Sequence, residues 1–172
     1  MTPDQIASGT RVFVDASVFT YQFTGVSREC KAFLERCETA DLDALTSSVV
    51  VAEVAHRLMT IEAVAGRLVT PGNVVKKLRK RPHLVAKLQK YQEQVERIPL
   101  MSVKVVAVDS GTLLRSASVR SRYGLLVNDS LVVTSALDHG AAALVSTDRG
   151  FERVDGVALY CPGDLGEGSL ER

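Results

Sequence analysis

No stretch of these 172 residues approaches the ~20 consecutive apolar positions that cross a bilayer, so no membrane span is expected. The first eleven residues lack a basic region followed by an apolar run, and no secretory signal is expected either. A cytoplasmic protein is the simplest inference. Cysteine is scarce: Cys30, Cys37 and Cys161 are the only three. None has the close Cys/His spacing of a zinc site, which leaves buried, reduced thiols as the expectation. There is no G-x-x-x-x-G-K-[ST] loop and no dinucleotide fingerprint after the first strand, so P-loop and Rossmann-type nucleotide chemistry fall away. His56, His83 and His139 are scattered, with no Ser or Cys nearby in a triad context. An excess of one charge is also missing. Lys and Arg number 21 against 20 Asp and Glu, and the resulting net charge of +1 permits a nucleic-acid partner without demanding one.

What is present is a pattern of short apolar runs alternating with helical spacing. At 46% hydrophobic residues the chain can bury a core. Its length suits one domain spanning 1–172. Strands are predicted at Arg11 to Asp15, Leu42 to Ser47, Val103 to Val108, Ala142 to Ser146 and Val157 to Tyr160. Helices are predicted between them. One follows Ser17 as a possible cap, and one covers Arg28 to Ala40. One capped by Ser47 or Ser48 carries Glu53 to about Met59 and continues toward Val69. One follows Asp109 or Ser110, and one is capped by Asn128 and runs from Asp129 to Asp138 before Gly140. Pro71-Gly72 breaks the chain, and two helices interrupted near Pro82 are expected in the basic stretch from Asn73 to Arg97. The Gly-rich, acidic tail from about residue 163 reads as loosely ordered. Strands alternating with helices imply an α/β domain with a mainly parallel sheet, whose ligands bind at the carboxyl ends of the strands.

Four acids stand on segments hydrophobic enough to be buried. Asp15 ends the run Val12-Phe13-Val14. Glu53 lies in the helix after Ser48. Asp129 opens the pattern Leu131-Val132-Val133. Asp148 follows Ala143-Leu144-Val145-Ser146-Thr147. Charged side chains rarely occupy such places unpaired, and no Lys or Arg lies within three residues of Asp15 or Asp129. Two carboxylates ~5 Å apart repel by roughly 3 kcal/mol at an effective dielectric of about 20. A cluster of them therefore calls for a cation, and oxygen-only ligands select Mg²⁺ or Mn²⁺. The matching chemistry is hydrolysis of a phosphodiester by a water that the metal acidifies. The helix start next to Asp129 is expected to favour its ionised form. Ser17 and Ser146 stand close enough in sequence to orient Asp15 and Asp148. Singly, each acid has an ordinary role as a cap, a turn former or, for Glu53, a partner of Arg57 at i,i+4. A phosphatase that uses the first Asp as nucleophile wants a second Asp two residues on, where this chain has Ser17.

The stretches VFVDASVF, SSVVVAEVAHRL, GLLVNDSLVVTSALDHGA and ALVSTDRGFERVDGVALYCP carry a resemblance to PIN-domain ribonucleases of the VapC toxin type, from about Arg11 to Pro162. That resemblance implies a three-layer α/β/α sandwich, a metal site formed by Asp15, Glu53, Asp129 and Asp148, and a supporting hydroxyl at Ser146. It also implies Mg²⁺- or Mn²⁺-dependent cleavage of RNA to 5′-phosphate and 3′-hydroxyl ends, a homodimer, and a cognate antitoxin protein. The segment 61–97 is longer and more basic than expected of such toxins. It reads as a helical insertion in which Lys76, Lys77, Arg79 and Lys80 are candidate RNA contacts. The competing expectations are a non-catalytic RNA- or protein-binding module of the same fold and a nuclease of that fold outside the toxin group.

Overall fold

The computed structural model describes residues 1–165. Five short strands form one sheet: β1 (Arg11–Val14), β2 (Asp43–Ser47), β3 (Lys104–Val106), β4 (Ala143–Val145) and β5 (Ala158–Tyr160). Their order across the sheet is β3-β2-β1-β4-β5, and every pairing is parallel. β1 is central, with Val12 opposite Ala44 on one side and Ala143 on the other. Val12, Phe13 and Val14 are all completely buried, as are Leu144 and Val145. A strand buried on both faces needs helices above and below it, which is why it reads as a continuous apolar run.

Those helices are α1 (Ala16–Phe23), α2 (Arg28–Glu38), α3 (Ser48–Ala65), α4 (Val74–Arg79), α5 (Pro82–Val85), α6 (Lys90–Glu96), α7 (Ser110–Tyr123) and α8 (Val127–Asp138). α1 packs on α2 and α3, whereas α7 packs on α8. From β1 the chain steps outward to β2 and β3, then crosses back to β4 and β5. Right-handed crossovers place the helices of these two directions on opposite faces, giving a three-layer α/β/α sandwich. The reversal between β1 and β4 is the topological switch point, and the crevice at the carboxyl ends of these two strands is where such a sheet binds ligands.

Several boundaries differ from the sequence expectation for local reasons. Asp15, not Ser17, caps α1. Asn128 is not a cap: α8 begins one residue earlier at Val127, Leu126 takes the cap position without a side-chain bond, and Asp129 falls in the first turn. The strand expected over 103–108 is confined to Lys104–Val106, because it is an edge strand paired only with the last three residues of β2. The basic stretch forms three short helices rather than two. Pro82 starts α5, and α6 starts afresh after Gln89. Glu62 of α3 accepts the backbone N–H groups of Gln89 (3.1 Å) and Tyr91 (2.8 Å), so a carboxylate on α3 satisfies free donors at the start of α6. The arm carries a small core of its own, in which Ala63, Val69, Leu78 and Leu88 are buried.

The beginning of the expected loose tail is held in place. Asp164 accepts the Ser27 hydroxyl (2.6 Å) and the N–H groups of Arg28 (2.7 Å) and Glu29 (3.1 Å), joining Ser27 as a cap on α2. The rest of that tail, 166–172, lies outside the described residues. Cys30 and Cys37 are buried on one face of α2, and burial pushes their thiols up to about 11 and about 12, so both are inert packing groups. Among the described residues no helix is long and apolar enough to cross a membrane.

Candidate metal centre

Asp15 follows the last residue of β1 and adopts an extended backbone (φ −84°, ψ 161°) as the cap of α1. Its own N–H donates to the carbonyl of Val145, stitching it to β4 (3.0 Å). Its carboxylate is used asymmetrically. Oδ2 accepts the hydroxyls of both Ser17 and Ser146, each at 2.8 Å. Among the described residues no hydrogen bond reaches Oδ1. Both serines are buried, and each hydroxyl also accepts a backbone N–H, Ser17 from Thr147 (3.1 Å) and Ser146 from Asp148 (3.0 Å). Ser17 and Ser146 thus form one hydrogen-bond network that ties the end of β1 to the turn after β4. Thr46, not singled out in the sequence, adds to it. Its buried hydroxyl donates to the carbonyl of Val14 (2.8 Å), anchoring β2 to the residue just before Asp15.

Asp148 begins the turn after β4, and its Oδ1 accepts the N–H of Gly150 (2.7 Å). Gly150 was also missed. A Cβ there would meet Asp148 Oδ1 at 2.9 Å, so any larger residue would push the carboxylate from this position. The available signal was the glycine two positions after an Asp, the spacing of a side-chain-closed turn.

Asp129, in the first turn of α8, has its pKa raised. Burial is the main cause, followed by the negative charges of Asp148 and Asp15; the N–H of Leu126 and the Arg153 guanidinium pull the other way. This reverses the expectation that the helix start would favour ionisation, because desolvation and two like charges outweigh the helix end. Asp15 and Asp148 are therefore near enough to Asp129 for their charges to act on it. The expectation of burial holds only partly: Asp15 and Asp129 are half-buried at the crevice wall, and Asp148 is exposed at its mouth.

Glu53 is placed differently. It is half-buried on α3, but its Oε1 is paired with Arg57 Nη2 at 2.6 Å. It is not among the charges that act on Asp129. Among the described residues no three acidic, His or Cys side chains are gathered at metal-ligand spacing. Three acids thus converge loosely, and the fourth is held by its own helix neighbour. The donor set fits a hard divalent cation, since it is all oxygen, in negative excess, and contains neither Cys nor His.

Of the basic candidates, Lys76, Arg79 and Lys80 are exposed. They line a groove of about 1370 Å³ between α3 and α4, together with His56 and Arg57. Lys77 points elsewhere: its Nζ donates to the Thr70 carbonyl (2.9 Å), the Thr70 hydroxyl (2.8 Å) and the Pro71 carbonyl (3.0 Å), clasping the loop before α4. His139 closes α8, its Nδ1 against the Ser135 carbonyl (2.9 Å).

Residues 12–157 match the PIN domain family model. No match is found among curated proteins. Among solved structures that share the fold are these three. VapBC2 from Rickettsia felis, bound to a DNA fragment from their promoter, aligns with TM-score 0.57 at 16% identity, covering 88% of this chain and 98% of that one. A toxin-antitoxin complex from Klebsiella pneumoniae aligns with TM-score 0.55 at 21% identity, covering 86% and 95%. PAE2754 from Pyrobaculum aerophilum aligns with TM-score 0.53 at 18% identity, covering 88% and 91%.

Proposed function

Because the chain belongs to the PIN domain family, we propose that it is a metal-dependent endoribonuclease of the VapC toxin type, with Asp15, Glu53, Asp129 and Asp148 as the ligands of one or two Mg²⁺ or Mn²⁺ ions. The observation that carries this reading is the approach of Asp15 and Asp148, at the carboxyl ends of β1 and β4, to Asp129 in the first turn of α8, whose pKa is raised by burial first and then by their two charges. When bound, the cation supplies acidification of water and neutralisation of phosphate charge. The chain's own residues prepare the place. Ser17 and Ser146 occupy Oδ2 of Asp15 and leave its Oδ1 without a hydrogen bond among the described residues. Gly150 holds Asp148 at the mouth, where its exposed carboxylate meets incoming substrate first. Lys76, Arg79 and Lys80 on the groove wall contact the phosphates of a single strand, with Lys77 securing the loop beneath them.

The chain is read as one PIN-like domain, 1–172, carrying 61–97 as a basic helical arm. A protein antitoxin is the partner suggested by the toxin-antitoxin complex among the similar structures. A homodimer is supported by apolar side chains exposed on α7 and at the start of α8, namely Leu113, Leu114, Leu126 and Val127. The free cysteines, Cys30 and Cys37 buried and Cys161 only half-buried where burial was expected, suit the reducing cytoplasm in which such an RNA substrate is met.

The deciding experiment incubates a mixed cellular RNA pool with the protein in Mg²⁺, Mn²⁺ or EDTA, beside the Asp15→Asn variant. Cuts that need the metal and vanish in the variant are expected. RNA that is bound but never cut by folded, inhibitor-free protein would instead identify a non-catalytic binding module.

A further inference from the structure

Arg57 stands one helical turn beyond Glu53 on α3, and the two side chains are paired at 2.6 Å. Glutamate N-terminal to a cation at i,i+4 is the favourable orientation for such a pair. The pair is neither deeply buried nor fully solvated: the Glu53 side chain is 25% exposed and that of Arg57 43%. Three features set it apart from an ordinary surface ion pair. Glu53 is the one candidate ligand that does not act on Asp129, although the other two acids do. Arg57 is the only cation in direct contact with any of the four acids among the described residues. The guanidinium also has somewhere to go, because it lies on the wall of the groove lined by Lys76, Arg79 and Lys80.

From this placement we infer that Arg57 is a positioning residue, which holds the Glu53 carboxylate away from the three Asp residues until a divalent cation displaces it. A carboxylate cannot give the same oxygen to a guanidinium and to a metal at full strength. The cation must therefore break the pair, and its apparent affinity is lowered by the fraction of molecules in which Glu53 is held. Once released, the Arg57 side chain turns toward the basic groove, where a phosphate offers it a two-pronged partner. Opening the latch thus admits the cation and frees a phosphate-binding group in the same movement. The inference rests on the assignment of Glu53 as a ligand.

The test measures Mn²⁺ binding by electron paramagnetic resonance of the free ion, with no RNA present, for the wild type and for Arg57→Gln, Arg57→Lys, Glu53→Gln and the double variant E53Q/R57Q. Half-exposed pairs of this kind correspond to about a two- to fivefold effect on an equilibrium, so Arg57→Gln is expected to bind Mn²⁺ about two- to fivefold more tightly. Arg57→Lys, which keeps the charge, is expected to stay near the wild type. In the Glu53→Gln background, removal of Arg57 is expected to change nothing, which separates a latch from plain repulsion of the ion by a nearby cation. An unchanged affinity in Arg57→Gln overturns the latch, as does a tightening that persists in the double variant. If Glu53→Gln binds Mn²⁺ as tightly as Arg57→Gln does, Glu53 is no ligand, and the site assignment itself falls.

Discussion

Ser146 is completely buried and its hydroxyl is used twice, donating to Asp15 and accepting from Asp148. Ser146→Ala leaves a backbone N–H and a carboxylate oxygen each short of a partner. A loss of about 1–3 kcal/mol in stability by urea titration is expected, together with about a 10- to 100-fold fall in RNA cleavage. Equal activity in the two proteins would remove Ser146 from the site. Asp129 makes the opposite trade. Its raised pKa means that the folded chain holds a proton more tightly than the unfolded one. Stability conferred by that proton is complete below the ordinary value of 3.8 and is lost as pH rises through the raised folded value. Above that raised value the ionised Asp129 therefore destabilises the metal-free protein. Asp129→Asn is expected to abolish cleavage while raising the metal-free Tm, by up to about 3 °C for a chain of this size. The rise should disappear when the melt is repeated at pH 3. A lowered Tm at pH 7 would show that Asp129 is held by a partner rather than strained by its neighbours.

At the scale of elements, the arm from α4 to α6 separates two kinds of basic side chain. Lys76, Arg79 and Lys80 are free to meet phosphates, whereas Lys77 is spent on the carbonyls of Thr70 and Pro71. Neutralising Lys76, Arg79 and Lys80 together is expected to flatten the salt dependence of RNA affinity by up to about 2 in log–log slope, at ~0.7 per phosphate contact on a single strand. Lys77→Gln is expected to leave that slope alone and to speed amide exchange in α4, where the left-handed Asn73 (φ 52°) starts the helix without a side-chain cap. A slope that responds to Lys77 as strongly as to the other three would mean the clasp opens when RNA binds. The arm is suited to this work because it rests on its own small core, with Glu62 fixing α6, so its charges can change without disturbing the sheet.

For the whole molecule, the sheet order β3-β2-β1-β4-β5 decides where the acids meet. A cation that binds only the folded form stabilises it by mass action, by about 2.7 kcal/mol at a concentration ~100 times its Kd. For a domain of this size that corresponds to a Tm rise of roughly 5–10 °C. Differential scanning with Mn²⁺ is expected to show this rise, EDTA to reverse it, and Asp15→Asn to abolish it. A Tm that ignores Mn²⁺ in the wild type would refute a metal centre built from these side chains.

The α/β class, the buried strands at Val12–Val14 and Ala143–Val145, and the candidate acids were legible in the chain itself. Hydrophobic periodicity is local, and so is the oddity of an Asp at the end of an apolar run. Caps were less legible. Asp15 outcompeted Ser17, and Leu126 displaced Asn128, because which residue caps a helix depends on where packing lets its first turn begin. Three matters were settled only in three dimensions. The ionisation of Asp129 depends on burial and on two charges that are 19 and 114 residues away in sequence. The free basic side chains of the arm are told from the clasping Lys77 only by the path of the loop at Thr70–Pro71. The state of Glu53 depends on whether its carboxylate faces the other acids or its helix neighbour, and here it faces Arg57. Sequence determines which groups exist and how they are spaced along each element. The energy of a charge depends on distance and dielectric, and the packed fold alone sets both.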